Sequence, residues 1–462
     1  MLTRRAFVTH AAAGLLATTR HAQAASDVPE NLTAREAAVQ LPPEGYAETS
    51  IWGYDGRAPG PLIRVPQGRR VKRRLVNDLP APTSIHWHGI RIDNAMDGVA
   101  GLTQDAVAPG RTFDYDFVAP DAGTYWYHAH NRSWEQVARG LHGPLVVEEA
   151  DAPDVDHEEI LVLDDWLLDP ETALIDDRFN HPMRMSHAGR IGNLLTTNGR
   201  FDFSRPVRRH ARLRLRLINA SNARIFPLGL AGLRGWIVAL DGMPLSAPEP
   251  LHEVLVLGPA QRADLIVDVT AEDGETAHLL RFGNEGRPAS QAAFPVRGTA
   301  TRTARGAPGP LPPNPGGGIR SLADARPLQL VMAGGAMGRM NSAFLGGERL
   351  GFRDLADRGR FWSFNEMAEM TQTPLADLSL GEPVRISIVN DTAFPHAMHL
   401  HGIHFREVRK GTKPGPMRDT LMLAAGETRD IAFVADNPGD WLFHCHMLSH
   451  AASGMMTWVR IT

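Results

Sequence analysis

A chain of 462 residues, 43% apolar and 22% charged with 44 Gly and 34 Pro, has the composition of a globular protein and the length for two to four domains. Beyond the N-terminus no stretch approaches the roughly 20 apolar residues that cross a bilayer, so no membrane anchor is expected. A formal charge of −4 argues against nucleic acid and anionic lipid as partners.

The chain opens on Thr3-Arg4-Arg5-Ala6-Phe7-Val8, an apolar run from Ala11 to Ala17, and Ala22-Gln23-Ala24. Charged region, apolar core and small-residue cleavage site stand in the order of an export signal, so residues 1–24 are expected as a removable leader and the periplasm as destination. The arginine pair before Phe7 resembles the twin-arginine type, whose machinery moves folded proteins; an ordinary secretory leader with an incidental pair is the alternative. Removing 1–24 takes away three arginines and no acid, moving the formal charge to −7. Exported chains can form disulfides, yet Cys445 is the sole cysteine and allows no intramolecular one.

Three strand-like alternations then recur, each ending in Asn: Val71 to Asn77, Arg212 to Asn219 and Val384 to Asn390. Each has a partner downstream. In the first repeat it runs from Gly110 to His128, in the third from Gly426 to His444, and both spans are 18 residues. A weaker second copy starts near Gly258 and Asp264, with Asp273-Gly274 at its turn. Short alternating strands broken by Gly, Pro and Asp predict an all-β chain of three Greek-key β-sandwich domains, at 25–150, 151–305 and 321–462. The run from Gly306 to Pro315 is too rich in Pro and Gly for a regular element and makes 306–320 a linker. Between about 166 and 195 the pattern is irregular and predicts no element.

Ten of the 20 histidines fall in four clusters, all in the first and third repeats. Nine residues after the repeat Asn stand His86 and His399, with His88 and His401 two further on, whereas the second repeat has Leu228 and Leu230. At the other slot His128 and His130 correspond to His444 and His446. There the second repeat offers at most His278, read as a plain surface or core histidine in an alignment uncertain by two residues. Side chains at i and i+2 of a strand share a face about 6.5 Å apart, so each His-X-His pair can serve two neighbouring metal ions. Four pairs supply eight imidazoles, enough for three copper ions with positions left open for oxygen. Cys445, between His444 and His446, has opposite parity and serves a different metal. His396 is likewise opposed to His399 and His401, and His450 and Met455 follow Cys445 by five and ten residues. Two His, one Cys and a weak axial Met form the blue-copper set, suited to electron transfer.

The strings His-Trp-His-Gly at 86–89, Tyr-Trp-Tyr-His-Ala-His at 125–130, His-Ala-Met-His-Leu-His-Gly at 396–402 and His-Cys-His at 444–446 resemble those of the multicopper oxidases. With the repeats, the resemblance covers nearly the whole chain past the leader. It implies cupredoxin-like domains, four copper ions and a laccase-like enzyme with dioxygen as acceptor. The type 1 copper it implies takes His396, Cys445, His450 and axial Met455, and the type 2 copper takes His86 and His399. One type 3 copper takes His88, His128 and His446, the other His130, His401 and His444. Asp97 resembles the acid that the family uses to manage protons beside the cluster, an Asp-Gly turn residue being the alternative. Asp97, Cys445, His444 and His446 are therefore the expected catalytic residues. Ala451 stands where several bacterial relatives carry an acid, so the resemblance supplies no second proton route.

A small-molecule reductant is expected to dock near His396 or His450, whose imidazole edge should lie closest to solvent, and four such electrons reduce one dioxygen to two waters. Axial Met lowers the type 1 potential and favours easily oxidised donors such as phenols and aromatic amines. Eleven of the 16 methionines lie in the last repeat, including Met332, Met337, Met340, Met367, Met370, Met398 and Met417. Thioethers prefer Cu(I), making a cuprous oxidase the alternative, although core filling explains most single Met residues. A monomer is expected. Two competing readings are a non-catalytic periplasmic protein that keeps copper as a fold element, and a copper nitrite reductase, which assembles its site between subunits of fewer domains.

Overall fold

The computed structural model describes residues 28–283, 287–316, 322, 324–408 and 414–462; the expected leader and the end of the expected linker lie outside them. Strands dominate, and helices such as Pro182–Ser186 and Leu448–Ala452 are short. The strands form three successive two-sheet sandwiches. In the first, a sheet ordered Thr49–Tyr54, Glu30–Val39, Arg70–Asn77, Thr112–Val118 packs on one ordered Ile63–Pro66, His142–Glu148, Gly123–Ala129, Ile85–His88. The second and third each set a six-stranded sheet against a five-stranded one. One parallel pairing recurs in all three: Glu30–Val39 with Arg70–Asn77, His157–Trp166 with Arg212–Asn219, and Arg326–Gly334 with Pro383–Asp391.

The cause is local alternation. In Pro383–Asp391, Val384, Ile386 and Ile388 point inward with no exposed surface while their neighbours are half-buried. Each such burial contributes about 1.5–3 kcal/mol, and β-branched side chains suit the pleat. Separate apolar cores result, around Val71, Leu75 and Tyr115, around Leu213, Leu215 and Val267, and around Val384, Ile386 and Phe433.

The recurring Asn has a physical reason. Its buried amide ties down the loop that follows: Asn77 Nδ2 donates to the carbonyls of Ala81 and Val107, Asn219 Nδ2 to those of Arg224 and Leu257, and Asn390 Nδ2 to those of Phe394 and Ala424. Each Asn Oδ1 accepts from the amide two residues on, in Leu79, Ser221 and Thr392. This fixed loop sets the distance to the next strand. There His86 pairs in register with His128, and His399 with His444. In the second sandwich Leu228 pairs with Arg281, while His278 faces Ala231 and contacts Ser290 Oγ at the surface. The repeat slot therefore falls on Arg281, three residues from the histidine that the sequence offered.

Residues 301–316 carry no strand, and Asn314 fastens them to the first sandwich through both the amide and the carbonyl of Ala122. The first and third sandwiches meet where Asn94 Nδ2 donates to the Asp440 carbonyl (2.7 Å) and Asn437 Nδ2 to the Ile92 carbonyl (3.0 Å). The irregular stretch after Trp166 runs through the helix Pro182–Ser186 and lies against the third sandwich, where Trp362 Nε1 donates to the Met185 carbonyl (2.6 Å).

Candidate metal centre

At the seam of the first and third sandwiches, Ile85–His88 and Gly123–Ala129 face His396–Leu400 and Gly439–Cys445, and eight histidines on or just after these strands turn inward. Seven are at most 1% exposed, and His130 is partly exposed. The rings of His86 and His401 stack at 3.8 Å and those of His88 and His399 at 3.7 Å. His401 Nε2 lies 3.1 Å from His444 Nε2, and His446 Nε2 lies 3.4 Å from His128 Nε2. Ligand atoms come within 4.8 Å of one another in the groups His88/His128/His446, His130/His401/His444 and His86/His88/His399.

Burial, and then the neighbouring imidazoles, push His128, His401, His444 and His446 well below the ordinary histidine range, and His130 down to about 3. Neutral imidazole is the form that binds metal. His86 Nε2, His130 Nε2, His399 Nε2 and His446 Nδ1 are buried without a hydrogen-bond partner. A single orphaned polar atom of this kind costs about 1–3 kcal/mol, so a converging set of them calls for a cation, and an all-imidazole set fits copper.

Two carboxylates orient these rings. The turn Asn94–Met96 delivers Asp97, whose backbone carbonyl accepts from His86 Nδ1 (2.9 Å), with Oδ1 3.1 Å from the same nitrogen, and whose Oδ2 lies 3.0 Å from His401 Nδ1. With Nδ1 of both rings engaged, Nε2 is left for the cluster. Gly98 permits the approach: its φ is +78°, and a Cβ there would collide with the Ile85 carbonyl. The turn and the acid are thus one feature. Asp419, which the sequence did not single out, accepts from His399 Nδ1 through its carbonyl (2.9 Å) and sets Oδ1 3.4 Å from His88 Nε2. It meets His399 through strand pairing inside the third sandwich, where His399 stands opposite Thr420, and meets His88 only through packing between sandwiches.

On the opposite face of the same strand, Cys445 Sγ lies 3.6 Å from His396 Nδ1 and 3.9 Å from His450 Nδ1. Burial pushes the Cys445 thiol up to about 12, so a thiolate at neutral pH needs a bound cation. Met455 is fully buried in the same apolar cluster, and its carbonyl accepts from the Cys445 amide (3.1 Å). His444 Nδ1 donates to the Cys445 carbonyl (3.1 Å), joining this group to the other by a hydrogen bond as well as by the chain.

The expected solvent-facing imidazole edge is absent. His396 and His450 have no exposed surface: His396 Nε2 meets Thr392 Oγ1 (2.9 Å), and His450 Nε2 donates to the His187 carbonyl (2.6 Å). The Trp362 ring covers both, at 4.4 Å from His450 and 5.1 Å from His396. The tryptophan belongs to the third sandwich, in the strand Trp362–Phe364, and the His187 carbonyl comes from the irregular stretch that gave no sequence pattern. Ala451 is buried and lines, with Val99, Leu442 and Met456, a cavity of about 160 Å³ that reaches His130.

Family models described as multicopper oxidase match residues 36–152 and 348–462. The chain is 30% identical to multicopper oxidase MmcO of Mycobacterium tuberculosis, over 96% of this chain and 90% of that one. It is similar to the crystal structure of Lac15 from a marine microbial metagenome, 41% identical over 94% of this chain and 100% of that one, with a TM-score of 0.76. A crystal structure of a multi-copper oxidase from Pseudomonas thermotolerans is 33% identical over 94% of this chain and 99% of that one, with a TM-score of 0.80. Likeness of this degree over almost the whole chain, on a fold whose buried donors suit copper, means that the chain belongs to the multicopper oxidases, oxidoreductases that bind copper and couple oxidation of a reductant to reduction of dioxygen.

Proposed function

We propose that the chain is a laccase-like oxidase that carries four copper ions and works as a monomer in the periplasm. His396, Cys445 and His450, with Met455 buried in the same cluster, would hold the type 1 ion. His86 and His399 hold the type 2 ion, and His88/His128/His446 and His130/His401/His444 hold the type 3 pair. Bound copper supplies one-electron transfer at the first site and reduction of dioxygen to water at the other three. The observation that carries this reading is the position of Cys445: its sulfur faces His396 and His450, while His444 and His446 on either side face the histidine groups across the strand. Electrons entering at the sulfur therefore have a path of one residue in each direction. Asp97, in contact with two cluster histidines, manages the protons that water formation consumes. The leader-like residues 1–24 support export by the twin-arginine route.

Phenols and aromatic amines are the proposed donors. Cu(I) is retained as a second donor on one observation: the exposed thioethers of Met183 and Met337 flank the cover over His450, where the Ala336 amide donates to the Ser186 carbonyl (2.7 Å). Met332 and Met398 are fully buried in the core and have no access to solvent ions.

The test is copper analysis, optical and spin-resonance spectra, and oxygen-electrode turnover with a phenol, an aromatic amine and Cu(I). Four coppers per chain, an intense blue band and one dioxygen consumed per four electrons are expected. Lack of the blue band overturns the type 1 assignment, and a blue protein with negligible oxygen uptake on every donor favours the non-catalytic reading.

A further inference from the structure

The second sandwich supplies none of the clustered histidines, yet its Arg262 reaches the cluster. Arg262 opens the strand Arg262–Val269 and is fully buried. Its Nη1 and Nη2 donate to Asp419 Oδ1 (2.9 Å) and Oδ2 (2.6 Å), and its Nε donates to the Thr124 carbonyl (3.2 Å). One side chain thus ties together residues of all three sandwiches. The pair is itself fixed: Arg262 N donates to Asp241 Oδ1 (2.9 Å), whose Oδ2 accepts from Arg418 Nε (3.0 Å), and Gln261 Nε2 donates to the Thr420 carbonyl (2.9 Å). Space for it is made by Gly89 of the His-Trp-His-Gly string, where a Cβ would collide with Arg262 Nη2 and Asp419 Oδ2.

We propose that Arg262 is a positioning residue for the trinuclear site: by gripping both Asp419 oxygens it holds that carboxylate against His88 and His399, fixing which ring nitrogen each turns to the metals. The geometry follows directly. Asp419 takes Nδ1 of His399 at its carbonyl, which leaves His399 Nε2 unpartnered, and its Oδ1 stands 3.4 Å from Nε2 of His88, neither of whose ring nitrogens has a hydrogen-bond partner. A guanidinium grips two oxygens in one plane, and a lysine ammonium cannot. Partners that orient metal-binding histidines are typically worth 10- to 100-fold in metal affinity.

The inference rests on the copper assignment above, and the experiment separates the two. In Arg262→Lys we expect trinuclear copper to be lost to a mild chelator about 10- to 100-fold faster than in the parent protein, with a changed type 2 spin-resonance signal and an undiminished blue band. Arg262→Gln combined with Asp419→Asn removes both buried charges together and serves if the lysine variant does not fold; the same selective loss is expected. Parent-like copper retention and an unchanged type 2 signal in the folded variant, with at most a lower melting temperature, make Arg262 purely structural and overturn the proposal. A parent protein without a blue band overturns the copper assignment instead.

Discussion

Asp97→Asn is the sharpest test of the cluster's proton chemistry. The carboxylate gives one oxygen to His86 Nδ1 at 3.1 Å and the other to His401 Nδ1 at 3.0 Å, and it is 1% exposed. Asn matches its volume and can keep one oxygen on His401 Nδ1, while His86 Nδ1 retains the Asp97 backbone carbonyl (2.9 Å), so the substitution removes the negative charge and the titratable carboxyl and leaves both imidazoles an acceptor. A hydrogen bond to a charged group contributes about 1.5–3 kcal/mol, roughly 10- to 150-fold in a rate or an affinity. Loss of a placed proton carrier costs a further factor of about 100 or more. Neither oxygen touches His396, Cys445 or His450, so reduction of the type 1 site is expected to stay within about twofold of the parent rate. Stopped-flow bleaching of the blue band without oxygen measures that step. Mixing the reduced protein with oxygenated buffer then measures reoxidation, which should slow at least about 100-fold. Equal slowing of both steps, or parent-rate reoxidation with copper content unchanged, refutes the proton role.

Cys445→Ser should abolish the blue band and turnover while far-UV dichroism stays native; surviving turnover contradicts the path through the sulfur. Asn390→Ala leaves the buried carbonyls of Phe394 and Ala424 without that donor and should cost about 2–5 kcal/mol in denaturant unfolding. It should also shift the blue band, since the same loop leads to His396, whereas Asn219→Ala should cost as much stability and leave the spectrum alone. Burial holds His450 at about 4, against about 6.5 in an unfolded chain, so between these values the copper-free folded protein binds fewer protons than the unfolded one. Its stability is therefore full above about pH 6.5 and falls as pH drops, by about 2 kcal/mol at pH 5 from this group alone. Urea midpoints of the copper-free protein at pH 7 and 5 check this, and equal midpoints contradict it.

What was readable in the sequence is what strand geometry sets over short distances. Asn77 and Asn390 each stand nine residues before a histidine because their amides fix the intervening loop, and the parity of Cys445 against His444 and His446 is a property of any strand. Asp97 was readable because Gly98 marks its turn. Asp419 and Arg262 were not: Asp419 meets His399 within one sheet but reaches His88 and Arg262 only when separate sandwiches dock, and neither the spacing nor the residue type of an Arg in a buried strand announces that. The equivalent slot of the second repeat falls on Arg281, opposite Leu228, whereas the sequence offered at most His278 in an alignment uncertain by two residues.

The cover over the type 1 group changes where donor choice resides. If an imidazole edge were exposed, a reductant would be selected by the loops around it and would touch a copper ligand. Here both imidazoles are buried, and the His187 carbonyl accepts from His450 Nε2 at 2.6 Å. Electron transfer needs closeness and a suitable potential but no contact with the metal's own ligands, so a donor resting on the segment from Met183 to His187, or on the adjoining Ala336-Met337 loop, is coupled through that bond. The residues holding Cys445, His396 and His450 are constrained by packing and metal geometry, whereas Met183 and Met337 are exposed and bear no such load. Substitutions in the covering stretch can therefore retune which reductant is oxidised while the dioxygen chemistry, fixed at the seam of the first and third sandwiches, stays the same.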